Sequence, residues 1–221
     1  MWIRLTSNFY RKWLMLVIVG MFANYSQAQS MDERPVILAI GESTTAGFGV
    51  DAEDSYPAQL QRLLDDHGYA WRVVNHGRSG STTAMALSNL DRGMLLQPKI
   101  VLIALGGNDQ NNVAKERTKE NLRKLISMFA RTNALIFLAD RNIAADRADT
   151  TTSSLYAELA AEEGAMLMPS IREDIAGHAE LLISDGSHPN AKGYTIVANR
   201  IFNILKPYLD QSKAKASAGA E

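Results

Sequence analysis

Five short apolar runs alternate with stretches of helical period, and this alternation narrows the fold more than any other feature of the chain. VILAI (36–40), WRVV (71–74), IVLIAL (100–105), ALIFLA (134–139) and the weaker AMLMP (165–169) are rich in Val, Ile, Leu and Met and lack polar alternation. Such runs predict strands buried on both faces. Between them, apolar residues recur with helical spacing at Leu60, Leu63 and Leu64, at Leu122, Leu125, Ile126 and Phe129, at Leu155 and Leu159, and at Ile196, Val197, Ile201, Ile204 and Leu205. Pro57 suits a first helical turn, and His67-Gly68 and Glu163-Gly164 suit helix ends. The pattern predicts an α/β protein: a three-layer αβα sandwich, with helices on both faces of a mainly parallel, five-stranded sheet.

Composition bounds the compartment and the partners. Residues 1–28 carry Arg4, Arg11 and Lys12 without an acid, then the apolar WLMLVIVGMFA, then small residues Ser26 and Ala28. This is the layout of a cleaved secretory signal, and the apolar run falls well short of the ~20 residues that span a bilayer. The expectation is export to the periplasm or beyond, with no membrane span retained. Loss of three cations and no anion moves the formal net charge from −1 to −4, which argues against a nucleic-acid surface. The chain has no cysteine, so neither a disulfide nor a lipidated cysteine is available and stability must come from a core. One domain is expected over 29–209. The segment 210–221, ending SKAKASAGAE, is expected to be a disordered tail.

In an open parallel sheet, ligands bind beyond the carboxyl ends of the strands. Four polar segments can reach that rim: GESTTAG after the first strand, NHGRSGSTT after the second, GGNDQNN after the third, and SDGSHPN before the last helix. They can be tested as parts of an acyl-transfer site, which needs a nucleophile, a base, a group that orients the base, and oxyanion donors. Ser43 stands two residues past Gly41 at a strand end, where its hydroxyl can project and its N–H can serve the oxyanion. Among four histidines, His67 and His178 suit solvated positions. His76 suits a structural hydrogen bond at the rim. His188 follows Asp185 by three residues, with Gly186 between them and Pro189 behind, so one short loop can aim a carboxylate at one ring nitrogen and leave the other for Ser43. Gly80 and Asn108 offer further oxyanion donors. Singly, each also fits a bland role: a solvated Asp and His, a turn glycine, an Asx-turn asparagine.

In that order, GES with TTAG, then SG, then GGND, then DGSHPN, the segments resemble the four blocks of the SGNH hydrolases, also called GDSL lipases and esterases. The resemblance extends from about Val36 to Leu209, includes SYPAQL and VVNHGRSGSTT, and lies nearest the branch of arylesterases and periplasmic thioesterase/lysophospholipases. It implies a serine esterase acting on a small-molecule or lipid ester, with Ser43, His188 and Asp185 as the triad and Ser43, Gly80 and Asn108 as the oxyanion hole. No cofactor and no metal are implied, in keeping with four scattered histidines.

The chain departs from the family pattern at three places: Glu42 stands where Asp is usual, Gln110, Asn111 and Asn112 follow GGND, and the loop 141–152 lacks the expected Pro and Tyr. The last two border the expected substrate pocket. Other readings are a carbohydrate O-acetylesterase, a flavodoxin-like binding module that holds a phosphate at GESTTAG, and a degenerate hydrolase that binds a glycan. An α/β-hydrolase elbow, GxSxG, is excluded by Thr45 two residues after Ser43.

Overall fold

The first apolar run is buried along its entire length as strand β1 (Val36–Gly41), because a strand pairs with it on each side. The computed structural model describes residues 32–109, 113–142 and 150–218. The other strands are β2 (Arg72–Gly77), β3 (Ile100–Ala104), β4 (Leu135–Ala139) and β5 (Met166–Met168). All four pairings are parallel and the order is β2-β1-β3-β4-β5, the flavodoxin-like order 2-1-3-4-5. In register, Gly41 faces Gly77 on one side and Ala104 on the other, so β1, β2 and β3 end together at one rim.

Seven helices among the described residues connect and cover the strands: α1 (Ser43–Ala46), α2 (Tyr56–Asp66), α3 (Thr83–Ser88), α4 (Asp91–Leu95), α5 (Lys115–Ala130), α6 (Thr150–Glu163) and α7 (Ala191–Ala218). Alternation along β1 divides the core in two. Ile37 and Ala39 pack with Leu60 and Leu64 of α2 and Val197, Ile201 and Leu205 of α7, while Leu38 and Ile40 pack with Leu122, Leu125 and Phe129 of α5 and Tyr156 and Leu159 of α6. The four long helices α2, α5, α6 and α7 turn the stripes their sequences predict toward these cores. Pro57 lies in the first turn of α2, where its missing N–H is harmless, and β5 forms where the weakest run predicts it. Residues 35–221 group as one compact unit.

Three features differ from the sequence-based expectations. β2 runs to Gly77, because Ile40 and Gly41 continue the ladder opposite His76 and Gly77, so His76 lies within the strand and not beyond it. The crossover from β2 to β3 is two short helices, α3 and α4, for which no periodic stripe was evident; each is too short to show one. The tail expected to be disordered from 210 continues α7 to Ala218. Buried Leu209 anchors this stretch, Asp210 binds Lys206 at 2.8 Å one turn back and also the Tyr69 hydroxyl, and Ala and Lys favour helix. The segment 1–28 expected to be a signal, residues 110–112 and most of the 141–152 loop lie outside the described residues. No helix among the described residues is long and apolar enough to cross a membrane.

Candidate active site

At the end of β1 the backbone must leave the sheet and at once start a helix. A Cβ at Gly41 would collide with the Thr45 side chain and stand 3.0 Å from the Ala104 carbonyl, so only glycine permits this reversal. One turn of helix follows, with Ser43 as its first residue, and Gly47 closes it by donating its N–H to Ser43 O at 3.1 Å. Ser43 is thus presented at the rim, half-buried, and its N–H, as the first of a helix, has no acceptor among the described residues.

The loop before α7 supplies the other half. Asp185 Oδ1 accepts the N–H groups of Ser187 at 2.8 Å and His188 at 3.0 Å, and Oδ2 lies 2.6 Å from His188 Nδ1. The two backbone donors and then the ring hold the Asp185 carboxyl down to about 2. With Nδ1–H donated to this carboxylate, Nε2 is the acceptor, and it lies 2.7 Å from Ser43 Oγ. The loop is tied down by Ile183 N–H on His188 O at 2.9 Å, and by Asn190, whose side chain accepts from Gly193 N–H and donates to Glu180 O. The Phe48 ring packs against the imidazole, with centroids 4.7 Å apart, and the Phe48 carbonyl accepts from Tyr194 OH at 3.2 Å.

Gly80 has φ +75° with nothing within 4 Å of an added Cβ. Glycine is therefore favoured there by the left-handed backbone and not by crowding, and its N–H has no acceptor among the described residues. Asn108 Nδ2 donates to Ser81 O at 3.0 Å, leaving one amide hydrogen unused and the side chain oriented beside the Gly80 turn.

Glu42 connects the two groups of residues. Its Oε1 accepts the N–H of Gly106 at 2.6 Å, Gly107 at 2.7 Å and Asn108 at 3.3 Å, so the residue before Ser43 holds the turn that carries Asn108. Burial raises the Glu42 carboxyl above the usual range; these three N–H groups oppose the rise and nearby Asp109 adds to it. Thus the longer side chain at this departure from the family pattern is engaged through one carboxylate oxygen.

Behind this turn lies a network the sequence did not reveal. Asp109, 1% exposed, accepts from Thr83 N–H at 2.9 Å, Thr83 Oγ1 at 2.6 Å and Thr118 Oγ1 at 3.3 Å, and Asn121 Nδ2 donates to Thr83 Oγ1 at 3.0 Å. It fastens the β3 turn to α3 and α5. The signal available was Asp109 itself, an acid inside GGND. Phe48, likewise missed, was visible only as an aromatic within GESTTAGFGV. His76 makes a structural bond from Nε2 to Asn89 O at 3.0 Å, His67 bonds Leu63 O at its helix end, and His178 pairs with Glu180, so none of the three competes with His188.

A hydroxyl, an imidazole and a carboxylate in series at the carboxyl rim of a parallel sheet define the class of serine hydrolases. Within that class, residues 39–196 match the model of the GDSL-like lipase/acylhydrolase family. Esterase TesA from Pseudomonas aeruginosa is 30% identical over 178 residues, covering 78% of this chain and 89% of that protein. Thioesterase 1/protease 1/lysophospholipase L1 from Escherichia coli K12 is 29% identical over 79% of this chain and 85% of its own length. The crystal structure of the psychrotrophic esterase EstA from Pseudoalteromonas, inhibited by monoethylphosphonate, superposes with a TM-score of 0.73 at 27% identity, covering 79% of this chain and 98% of that one. The chain therefore belongs to the GDSL-like lipase/acylhydrolase family and is a serine esterase, a carboxylic ester hydrolase.

Proposed function

We propose that Ser43 is the nucleophile, His188 its general base and Asp185 the group that orients the base. The observation that carries this reading is the hydrogen-bonded series from Ser43 Oγ through His188 to Asp185, 2.7 Å and then 2.6 Å. As Ser43 Oγ attacks an acyl carbonyl, its proton passes to His188 Nε2, and Asp185 stabilises the imidazolium. The N–H groups of Ser43 and Gly80 and the spare amide hydrogen of Asn108 receive the oxyanion. His188 then returns the proton to the departing alkoxide or thiolate, leaving an acyl-Ser43 ester. Water, deprotonated by His188, releases the acid and restores the serine.

The substrates proposed are acyl esters, together with the thioesters and lysophospholipids named for the E. coli relative. The enzyme acts after export, in the periplasm or outside the cell, once a leader over 1–28 has been removed; the run of cations followed by apolar residues supports this placement. The test is trapping of the acyl-enzyme. Acid quenching during turnover of a p-nitrophenyl ester should yield protein heavier by one acyl group, with the added mass on the peptide containing Ser43. Acylation at any other residue would overturn the assignment.

A further inference from the structure

The segment Gly47-Phe48-Gly49 carries an aromatic ring that belongs to neither core. Phe48 is 46% exposed, yet both polar groups of its backbone are held. Its N–H joins that of Gly47 on the Ser43 carbonyl, at 3.0 and 3.1 Å. Its carbonyl accepts from the hydroxyl of Tyr194, a fully buried residue of α7, at 3.2 Å. The glycines on either side are both left-handed, with φ of +86° and +85°. A Cβ at Gly47 would stand 2.6 Å from Ser55 Cβ, and one at Gly49 would stand 2.5 Å from Ile183 Cδ1. Ile183 also donates its N–H to His188 O, so the segment is seated on both halves of the site. These restraints bring the Phe48 ring to the His188 imidazole, with centroids 4.7 Å apart and planes inclined by 50°.

The imidazole's other neighbours decide what the aromatic ring can do there. Nδ1 is bonded to Asp185 and Nε2 to Ser43 Oγ, and no other ionisable side chain among the described residues bonds to it; the Tyr194 hydroxyl is turned to the Phe48 carbonyl. When the Ser43 proton reaches Nε2, the imidazole becomes a cation with both nitrogens occupied, and Phe48 lies beside it. A cation within about 6 Å of an aromatic centroid is attracted by the ring's quadrupole. An aliphatic side chain would cover the imidazole as well but would offer no such attraction.

We propose that Phe48 is a positioning residue for the reaction: its ring holds His188 against Ser43 Oγ and stabilises the imidazolium formed as the serine proton moves. The inference rests on the roles proposed above for Ser43 and His188, and it adds to that site a residue that acts through the base.

The test follows kcat and KM for p-nitrophenyl butyrate between about pH 4 and 9 in the unaltered enzyme, Phe48→Leu and Phe48→Tyr. Phe48→Leu keeps an apolar cover and removes the ring. It should lower kcat by about 2- to 30-fold with KM little changed. Because the imidazolium loses its aromatic partner, the acid limb of kcat/KM should also move to lower pH, by roughly 0.4 to 1.5 on the pH scale. Phe48→Tyr restores the ring and should restore both. Phe48→Met supplies a second aliphatic substitution where Phe48→Leu does not fold. An unmoved acid limb, Phe48→Tyr no better than Phe48→Leu, or a raised KM with kcat intact would overturn the proposal. Failure of the esterase reading is separately visible, because Ser43→Ala would then still cleave the ester. NMR titration of the His188 ring in Ser43→Ala protein reads the same effect without turnover. Its midpoint should fall when Phe48→Leu is added and hold with Phe48→Tyr; equal midpoints in all three would also overturn the proposal.

Discussion

Asp185 grips His188 twice, through Oδ2 on the ring Nδ1 at 2.6 Å and through Oδ1 on the backbone N–H at 3.0 Å. The second bond fixes the loop's shape, so the first can fix the ring's tautomer. Asp185→Asn keeps the size but can offer Nδ1 a donor, which favours the wrong tautomer. Turnover should fall by up to roughly 10⁴-fold on that principle, with the fold retained by circular dichroism.

The same pair sets a pH window. The Asp185 carboxyl is depressed from 3.8 to about 2, so its contribution to stability is complete above about 4 and is lost as pH falls through about 2. Thermal melts of wild type and Asp185→Ala should therefore differ at pH 6 and converge towards pH 2. Activity should also fall in acid, because a charged imidazole can no longer accept the Ser43 proton. A rate that is flat from pH 8 to 4 would contradict a histidine base.

Asn108 has one amide hydrogen committed to Ser81 O and one free. Removing an oxyanion donor costs about 2.7 to 4 kcal/mol of transition-state stabilisation, so Asn108→Ala should lower kcat roughly 100- to 1000-fold with little change in KM. Steady-state kinetics on a p-nitrophenyl ester measures both.

Glu42 holds three backbone N–H groups with one oxygen. Glu42→Ala leaves them without this acceptor, and stability should drop by about 1 to 3 kcal/mol along with kcat. Glu42→Asp restores the carboxylate one methylene short, and should recover part of both losses. Urea denaturation beside kinetics checks this; an alanine variant equal to wild type in both would show that the departure from Asp is neutral.

Asp109 is a buried carboxylate with three donors. Asp109→Ala should destabilise the protein by roughly 2 to 3 kcal/mol, because Thr83 N–H and two hydroxyls lose their acceptor inside the core. The midpoint of urea unfolding reports it.

The sheet was legible because buried parallel strands write continuous apolar runs; even the three residues of β5 could be found at AMLMP. The end of β2 was hidden, since Asn75, His76 and Gly77 are polar or small and are strand only by pairing with β1. The bonded series of Ser43, His188 and Asp185 was legible because those residues are chemically distinctive and their two segments stand first and last among four polar segments in a recognisable order. Glu42 was recognisable as a departure, but its partners lie 64 to 66 residues away, a contact that no local pattern encodes. The Asp109 network was hidden for the same reason: Thr83, Thr118 and Asn121 are ordinary helix residues until the fold turns them toward one carboxylate.

The most direct test of the account is covalent labelling with a fluorophosphonate, which reacts with an activated serine, followed by peptide mapping. Wild type should carry one label on Ser43, Ser43→Ala none, and His188→Ala very little, with ester hydrolysis lost in parallel. Undiminished labelling or hydrolysis in folded Ser43→Ala protein would contradict the central claim.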